Sequence, residues 1–347
     1  MNLSEINKRY LVFVVIVFII LFHLYRSTST SYVSCQGKRA SPLVSDELED
    51  NGNNSNIQRA KFVDLNEIYA TAHANQRQEH VLILTPLKNA EPYLKRYFEL
   101  IDDMTYPKHL ITIAFLVSDT TDNTVKMIRS KADELLNKKG YHAIRIYEKD
   151  FQFQLPEDKR HQFQLQPLRR SYMARSRNYL LTAALRSHHS WVLWLDVDVI
   201  HYPTTILEDL QSLNVDVVVP NCLRETEDGS FWGYDKNNWQ ETSQSKQLQE
   251  NMDPNYVLLE GYYEFLTRRY HLVDMPTHNN KLDKVPLDGV GATFTLVKAN
   301  VHRQGANFPS YPYQHQVETE GFAKIAKAMG FGVYGLPSYI IHHISNA

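Results

Sequence analysis

Two cysteines in 347 residues, Cys35 and Cys222, exclude a disulfide-built scaffold and a cysteine-ligated zinc site. They are read either as one buried and one exposed thiol or as a single disulfide. Charge of one sign is also missing. The 37 Lys and Arg against 39 Asp and Glu leave a formal net charge of −2, so no basic surface argues for nucleic-acid binding. No GxxxxGK[ST] phosphate loop is present, which removes the usual basis for ATP or GTP hydrolysis. No repeat of solenoid length occurs.

What is present begins with one long apolar run, YLVFVVIVFIILFHLY at residues 10–25, with Lys8 and Arg9 before it and Arg26 after it. As a helix it reaches roughly 24 Å, enough for a thin early-secretory membrane. A cleaved signal peptide shares the charged start. This run is long for that role, however, and no A-x-A-like site follows, so an uncleaved signal anchor is the favoured reading. Lys38 and Arg39 blur the charge asymmetry. The short N-terminal tail favours a type II arrangement: tail 1–9, anchor 10–25, luminal stem 26–77 and catalytic domain 78–347. The stem is polar and rich in Ser and Asn, and it cannot bury enough apolar surface to offset its ordering entropy. Within it, Asn53-Asn54-Ser55 is a glycosylation acceptor pattern.

From residue 80 onward strand and helix patterns alternate. Strands are expected at 81–85, 111–117, 142–148 and in WVLWLDVDVI at 191–200, then at 215–220 and in the last two apolar blocks. Helices are expected from Pro92 to 104, over 124–139 with Gly140 as C-cap, over 168–187, and in TTILEDLQSL and GFAKIAKAMG. This is an α/β domain with a mostly parallel sheet covered on both faces. Residues 221–285, rich in Trp, Tyr, Asn and Gln, interrupt the rhythm and read as an insertion framing a site.

Asp196 and Asp198 stand where WVLWLDVDVI ends. Ligands of open α/β sheets bind at the carboxyl ends of the strands. Alternation puts residues two apart on one side, so both carboxylates are expected to face one point. Neighbouring carboxylates repel, and a divalent Mn²⁺ or Mg²⁺ relieves this while presenting positive charge to a phosphate-bearing ligand such as a nucleotide sugar. The plainer alternative is that they cap the following helix or bind turn amides.

HSWVLWLDVDVI, SYMARSRNYLL, LDGVGATFTLVKANVHRQGANFP, ETEGFAKIAKAMGF and VYGLPSYIIHHI, in this order, resemble the fungal Golgi α-mannosyltransferases of the mannan polymerase complexes, glycosyltransferase family 62. The resemblance covers residues 78–345. It implies a GT-A fold, a type II membrane protein of the Golgi or ER, and retaining transfer of mannose from GDP-mannose with Mn²⁺. It also implies hetero-oligomeric partners and an α-1,6-linked N-glycan mannan acceptor. By the same resemblance Asp196, Asp198 and His343 form the metal site, with His342 the adjacent alternative. Thr85, Pro86 and Asn89 of the first-strand loop face GDP, and Asp119 contacts base or ribose or else caps a helix. Of Arg169, Arg175 and Arg177, the first and second are the choices for the departing phosphate. Asp288, followed by Gly289 and Gly291, is the acid placed nearest the sugar. Asp235, Glu260, Glu318 and Glu320 are weaker candidates. Trp232, Tyr234 and Trp239 either stack on sugars or pack the insertion. Double displacement and front-face attack both remain open for the chemistry. So does a largely structural, non-catalytic role within such a complex.

Overall fold

The computed structural model describes residues 64–345. The expected tail, the anchor, residues 26–63 of the stem, Cys35 and Asn53 lie outside the described residues. Among the described residues no helix is long and apolar enough to cross a membrane. The compact unit starts at Phe62, so residues 64–77 belong to the domain and not to the stem. The reason is a buried anchor. Glu79 accepts hydrogen bonds from the Thr71 amide and hydroxyl at 3.0 and 2.7 Å and from the Trp191 indole at 2.8 Å.

In chain order the elements are β1 (His80–Leu87), α1 (Glu91–Asp103), β2 (Ile111–Val117), α2 (Thr124–Lys139), β3 (Ala143–Glu148) and α3 (Gln166–Ala184). There follow β4 (His189–Leu195), β5 (Val199–His201), α4 (Ile206–Ser212), β6 (Val217–Glu225), β7 (Phe231–Gly233), β8 (Trp239–Gln240) and α5 (Ser243–Gln249). The chain closes with β9 (Tyr270–His271), β10 (Val285–Pro286), β11 (Phe294–Lys298), α6 (Ala299–Arg303), α7 (Glu318–Ala328) and β12 (Val333–His343). The expected C-cap holds: Gly140 ends α2 at φ 72°, a left-handed turn open to glycine, with its amide on the Leu135 carbonyl.

The main sheet runs β10-β12-β6-β11-β4-β1-β2-β3, with β5 beside β12 and β7 beside β6. The pairs β1–β2, β1–β4, β2–β3 and β6–β12 are parallel, whereas β11 is antiparallel to both β4 and β6. Alternation splits the core in two. Val81, Ile83, Trp191 and Leu193 pack with α1, α2 and α4 on one face. Leu82, Leu84, Val192 and Trp194 pack with α3, α6 and α7 on the other. This three-layer α/β arrangement leaves the carboxyl ends of β1, β2, β4 and β6 on one rim. The long opening strand expected over 191–200 is divided, however. β4 stops at Leu195, the chain turns at Asp196–Asp198, and β5 leaves to pair with the end of β12.

Candidate active site

The paired aspartates occupy that turn and do not share one strand face. The Asp196 amide donates to the Thr293 carbonyl and the Asp198 carbonyl accepts from the Ile344 amide, both at 3.1 Å, so the turn is pinned by the residue before β11 and the residue after β12. The two side chains take different partners while staying within electrostatic reach of each other and of His343. Asp198 faces β12, where the His343 Nε2 lies 3.1 Å from its Oδ2. Asp196 faces α3, where Arg177 Nη2 lies 3.4 Å from its Oδ1. Both carboxylates keep about a third of their surface, 36% and 31%, open to solvent.

His343 is buried and its ring stacks on Tyr234 at 3.7 Å. Its Nδ1 sits 3.0 Å from the Ile344 carbonyl, which can only accept. Nδ1 thus carries the proton and Nε2 is turned to Asp198. Burial by itself lowers the His343 pKa, but the hydrogen bond and charge of Asp198 outweigh it and the net shift is upward. Alternation along β12 sends His342 the other way, onto His201 and Phe231.

Arg177 is the residue that sequence reasoning ranked too low. Its Nε donates to Glu318 at 3.0 Å, and its guanidinium lies 5.4 Å from the Trp194 ring and 5.7 Å from the Phe308 ring. The side chain is only 3% exposed. The signal was available: Arg170, Ala174, Arg177, Leu181 and Ala184 recur at helical spacing and form the buried stripe of α3. Arg175 lies off that stripe, exposed, with its guanidinium 4.8 Å from the Tyr172 ring. Arg169 donates to Gln166 at 3.3 Å and lies within electrostatic reach of Glu318. Of the three arginines it is Arg177 that stands at ion-pair distance from both Asp196 and Glu318, while Arg169 and Arg175 are the ones expected at the departing phosphate.

Glu318 opens α7 at φ 55°, in the left-handed region that a non-glycine residue occupies at a cost. Its bond to Arg177 holds it there. Burial and the charges of Asp198 and Glu318 push the Asp196 carboxyl above its usual range, while Arg177 and His343 pull it down. Three carboxylates thus face one permanent cation and one histidine.

The nucleotide-loop residues fall into two groups. Thr85 is fully buried, its hydroxyl on the Leu195 carbonyl at 2.8 Å and on the Tyr97 hydroxyl at 2.6 Å. It joins β1 to β4 and is not open to a ligand, because its position in β1 shares the core-facing side with Ile83. Pro86 is half-buried at the strand end. Asn89, at φ 48°, ties the loop after β1 to the loop after β2 by accepting from the Thr121 amide at 2.8 Å. Asp119, also at φ 48°, accepts from the Phe151 and Gln152 amides at 3.1 and 2.9 Å, so it links β2 to β3 and caps no helix.

Asp288 was expected at the sugar. Instead its Oδ2 accepts from the Glu241 amide at 2.8 Å and its Oδ1 is in a short ion pair with Lys327. Both oxygens are thus engaged, one by a backbone amide and one by Lys327. The adjoining glycines serve close packing: a Cβ at Gly289 would overlap Trp239, and one at Gly291 would overlap Asp235. Asp235 is itself buried, accepting from the Thr293 hydroxyl at 2.9 Å and the Asn237 amide at 3.1 Å. Trp239 is core, not a sugar platform. It donates to Glu320 at 2.8 Å and stacks under Arg269, whose guanidinium is 3.5 Å from the ring. Glu320 in turn pairs with Arg170, and Glu260 and Glu241 flank Arg269 at 2.8 and 3.1 Å. Trp232, by contrast, is 62% exposed. A groove of about 630 Å³ between α1 and α2 lies on a helical face and not at the aspartates.

A family model described as Anp1 matches residues 59–312. This chain belongs to the Anp1 family. The matched span stops before Glu318, Glu320 and His343, so their roles rest on the geometry above. The chain is 43% identical over 276 residues to the mannan polymerase II complex anp1 subunit of Schizosaccharomyces pombe, across 77% of this chain and 64% of that protein. It is 37% identical over 305 residues to the mannan polymerase complex subunit mnn9 of the same yeast, across 86% and 88%. It thus spans less than two thirds of the length of the Anp1-named relative and most of the Mnn9-named one. Among solved structures it is distantly similar, at TM-score 0.46 and 13% identity over 80% of this chain and 59% of the other, to a Pyrobaculum calidifontis mannosyltransferase in complex with GDP-Man and Mn²⁺.

Proposed function

We propose that this chain is a GDP-mannose-dependent α-mannosyltransferase that extends N-glycan outer-chain mannan with α-1,6-linked mannose as a subunit of a mannan polymerase complex. In this reading it is anchored as a type II protein in the Golgi or ER membrane with the described domain luminal. The supporting observation is the meeting of Asp198 and His343 from distant parts of the chain, 3.1 Å apart, beside an Asp196 braced by a buried arginine.

The donor set fits Mn²⁺. Two hard carboxylates and one imidazole whose Nε2 faces Asp198 would hold it, and three carboxylates against one arginine leave negative charge for it to neutralise. When bound, Mn²⁺ supplies charge stabilisation to the GDP diphosphate as it leaves. The chain's own residues do the rest. Ile344 holds the His343 tautomer, Tyr234 holds its ring, and Arg177 orients Asp196 while compensating Glu318. With Asp288 engaged elsewhere, the reading favours front-face attack over a carboxylate nucleophile for the retaining step.

Purified full chain in detergent, given GDP-mannose, Mn²⁺ and a short α-mannoside, tests this. Turnover by the wild type and its loss in Asp198→Asn, with the fold retained, supports catalysis. A wild type that binds GDP and never turns over supports the largely structural subunit instead. GDP-mannose is expected to raise Tm more than uridine sugars do, and an equal response would count against the donor assignment.

A further inference from the structure

At the opposite end of the sheet, His80 opens β1, His142 precedes β3 and His188 precedes β4. One ring nitrogen from each lies within 4.8 Å of the others. The rings meet edge to face, with centroids 4.6, 5.1 and 5.2 Å apart and interplanar angles of 72°, 75° and 65°, so they form a corner and do not stack. The His80 Nδ1 is buried without a hydrogen-bond partner. A buried ring nitrogen left unpaired calls for a ligand.

We infer that His80, His142 and His188 form a three-imidazole site for a borderline first-row divalent cation, zinc in preference to manganese, separate from the paired aspartates. Imidazole nitrogen suits zinc, whereas hard cations prefer oxygen. In a tetrahedral zinc site the nitrogens stand roughly 3.3 Å apart, so side-chain rotation by about an ångström closes the trio. His142 and His188 are exposed, which leaves the fourth position to water. Strand β1 runs eight residues, so the trio lies on the order of 20 Å from Asp196. A cation here clamps the amino ends of three strands and takes no part at the aspartates.

The surroundings set limits. Arg145 and Arg186 lie near His188, and His109 near His80. The positive charge of the two arginines weakens any cation and disfavours one that lacks affinity for imidazole.

The test titrates the metal-stripped full chain in detergent with Zn²⁺ and with Co²⁺, alongside His188→Ala, His142→Ala and Asp198→Asn. The two exposed histidines are chosen because their removal leaves the core intact. The expected result is one tight zinc in the wild type and in Asp198→Asn, with tetrahedral Co²⁺ absorption. Either histidine variant weakens it by at least the roughly 10–100-fold that loss of an outer-shell partner costs. Equal zinc affinity in wild type and both histidine variants overturns the site. So does stabilisation by inorganic phosphate without zinc uptake, which would assign the patch to an anion.

Discussion

Replacing Arg177 with methionine removes the cation between Glu318 and Asp196 while keeping an apolar stem against Trp194 and Phe308. Glu318 then becomes a buried, unpaired carboxylate, its side chain 5% exposed and its Arg177 bond of 3.0 Å gone. Asp196, 36% exposed, is screened by water and contributes little. Breaking a buried pair by deleting one partner costs about 3–5 kcal/mol. With an unfolding entropy near 0.6 kcal/mol/K for a domain of this size, Tm falls by about 5–8 °C. Differential scanning calorimetry of the full chain in detergent reads the shift. The double variant Arg177→Met/Glu318→Gln removes both charges and is expected to recover most of it. A single variant within about 1 kcal/mol of wild type, or a double variant no better than the single, refutes the bracing argument.

Arg175→Ala is expected to change stability by less than about 0.5 kcal/mol and leave turnover intact, since Arg175 is exposed and its guanidinium lies against the half-buried Tyr172 ring; a large loss of turnover would restore it to the phosphate site. The Glu241 carboxyl is drawn down to about 2, since burial alone would raise it but Arg269 and Lys324 beside it prevail. A depressed carboxylate stabilises the fold above its unfolded pKa of about 4.5 and loses that as pH falls toward the folded value. Urea titrations between pH 5 and 3 are thus expected to show an acid-side loss of about 2 kcal/mol that Glu241→Gln flattens. Gly289→Ala and Gly291→Ala are expected to cost about 1–3 kcal/mol by displacing Trp239 and Asp235. Chemical denaturation measures both, and neutrality at either position would mean the insertion yields where it is drawn as packed.

The strand and helix order around the site was legible because period-two and helical patterns are local, and the α2 stop at Gly140 is a one-residue signal. The carboxylate pair and the terminal histidine were legible by residue type and place. The arginine was half-legible: the α3 stripe contains Arg170 and Arg177, yet a row of four arginines within nine residues hides which ones turn inward. Asp288 and Trp239 stayed ambiguous because a glycine-flanked acid and an insertion tryptophan look the same in sequence whether they meet a ligand or other parts of the fold.

From the chain alone came the α/β alternation, the apolar run at 10–25 and the acids at a strand end, since each is written in neighbours a few residues apart. Which side chains meet was decided only by the fold. Asp196 turned to Arg177, Asp198 to His343, and three histidines gathered at the far rim because sheet order joins segments separated by tens to well over a hundred positions. No local period carries that information.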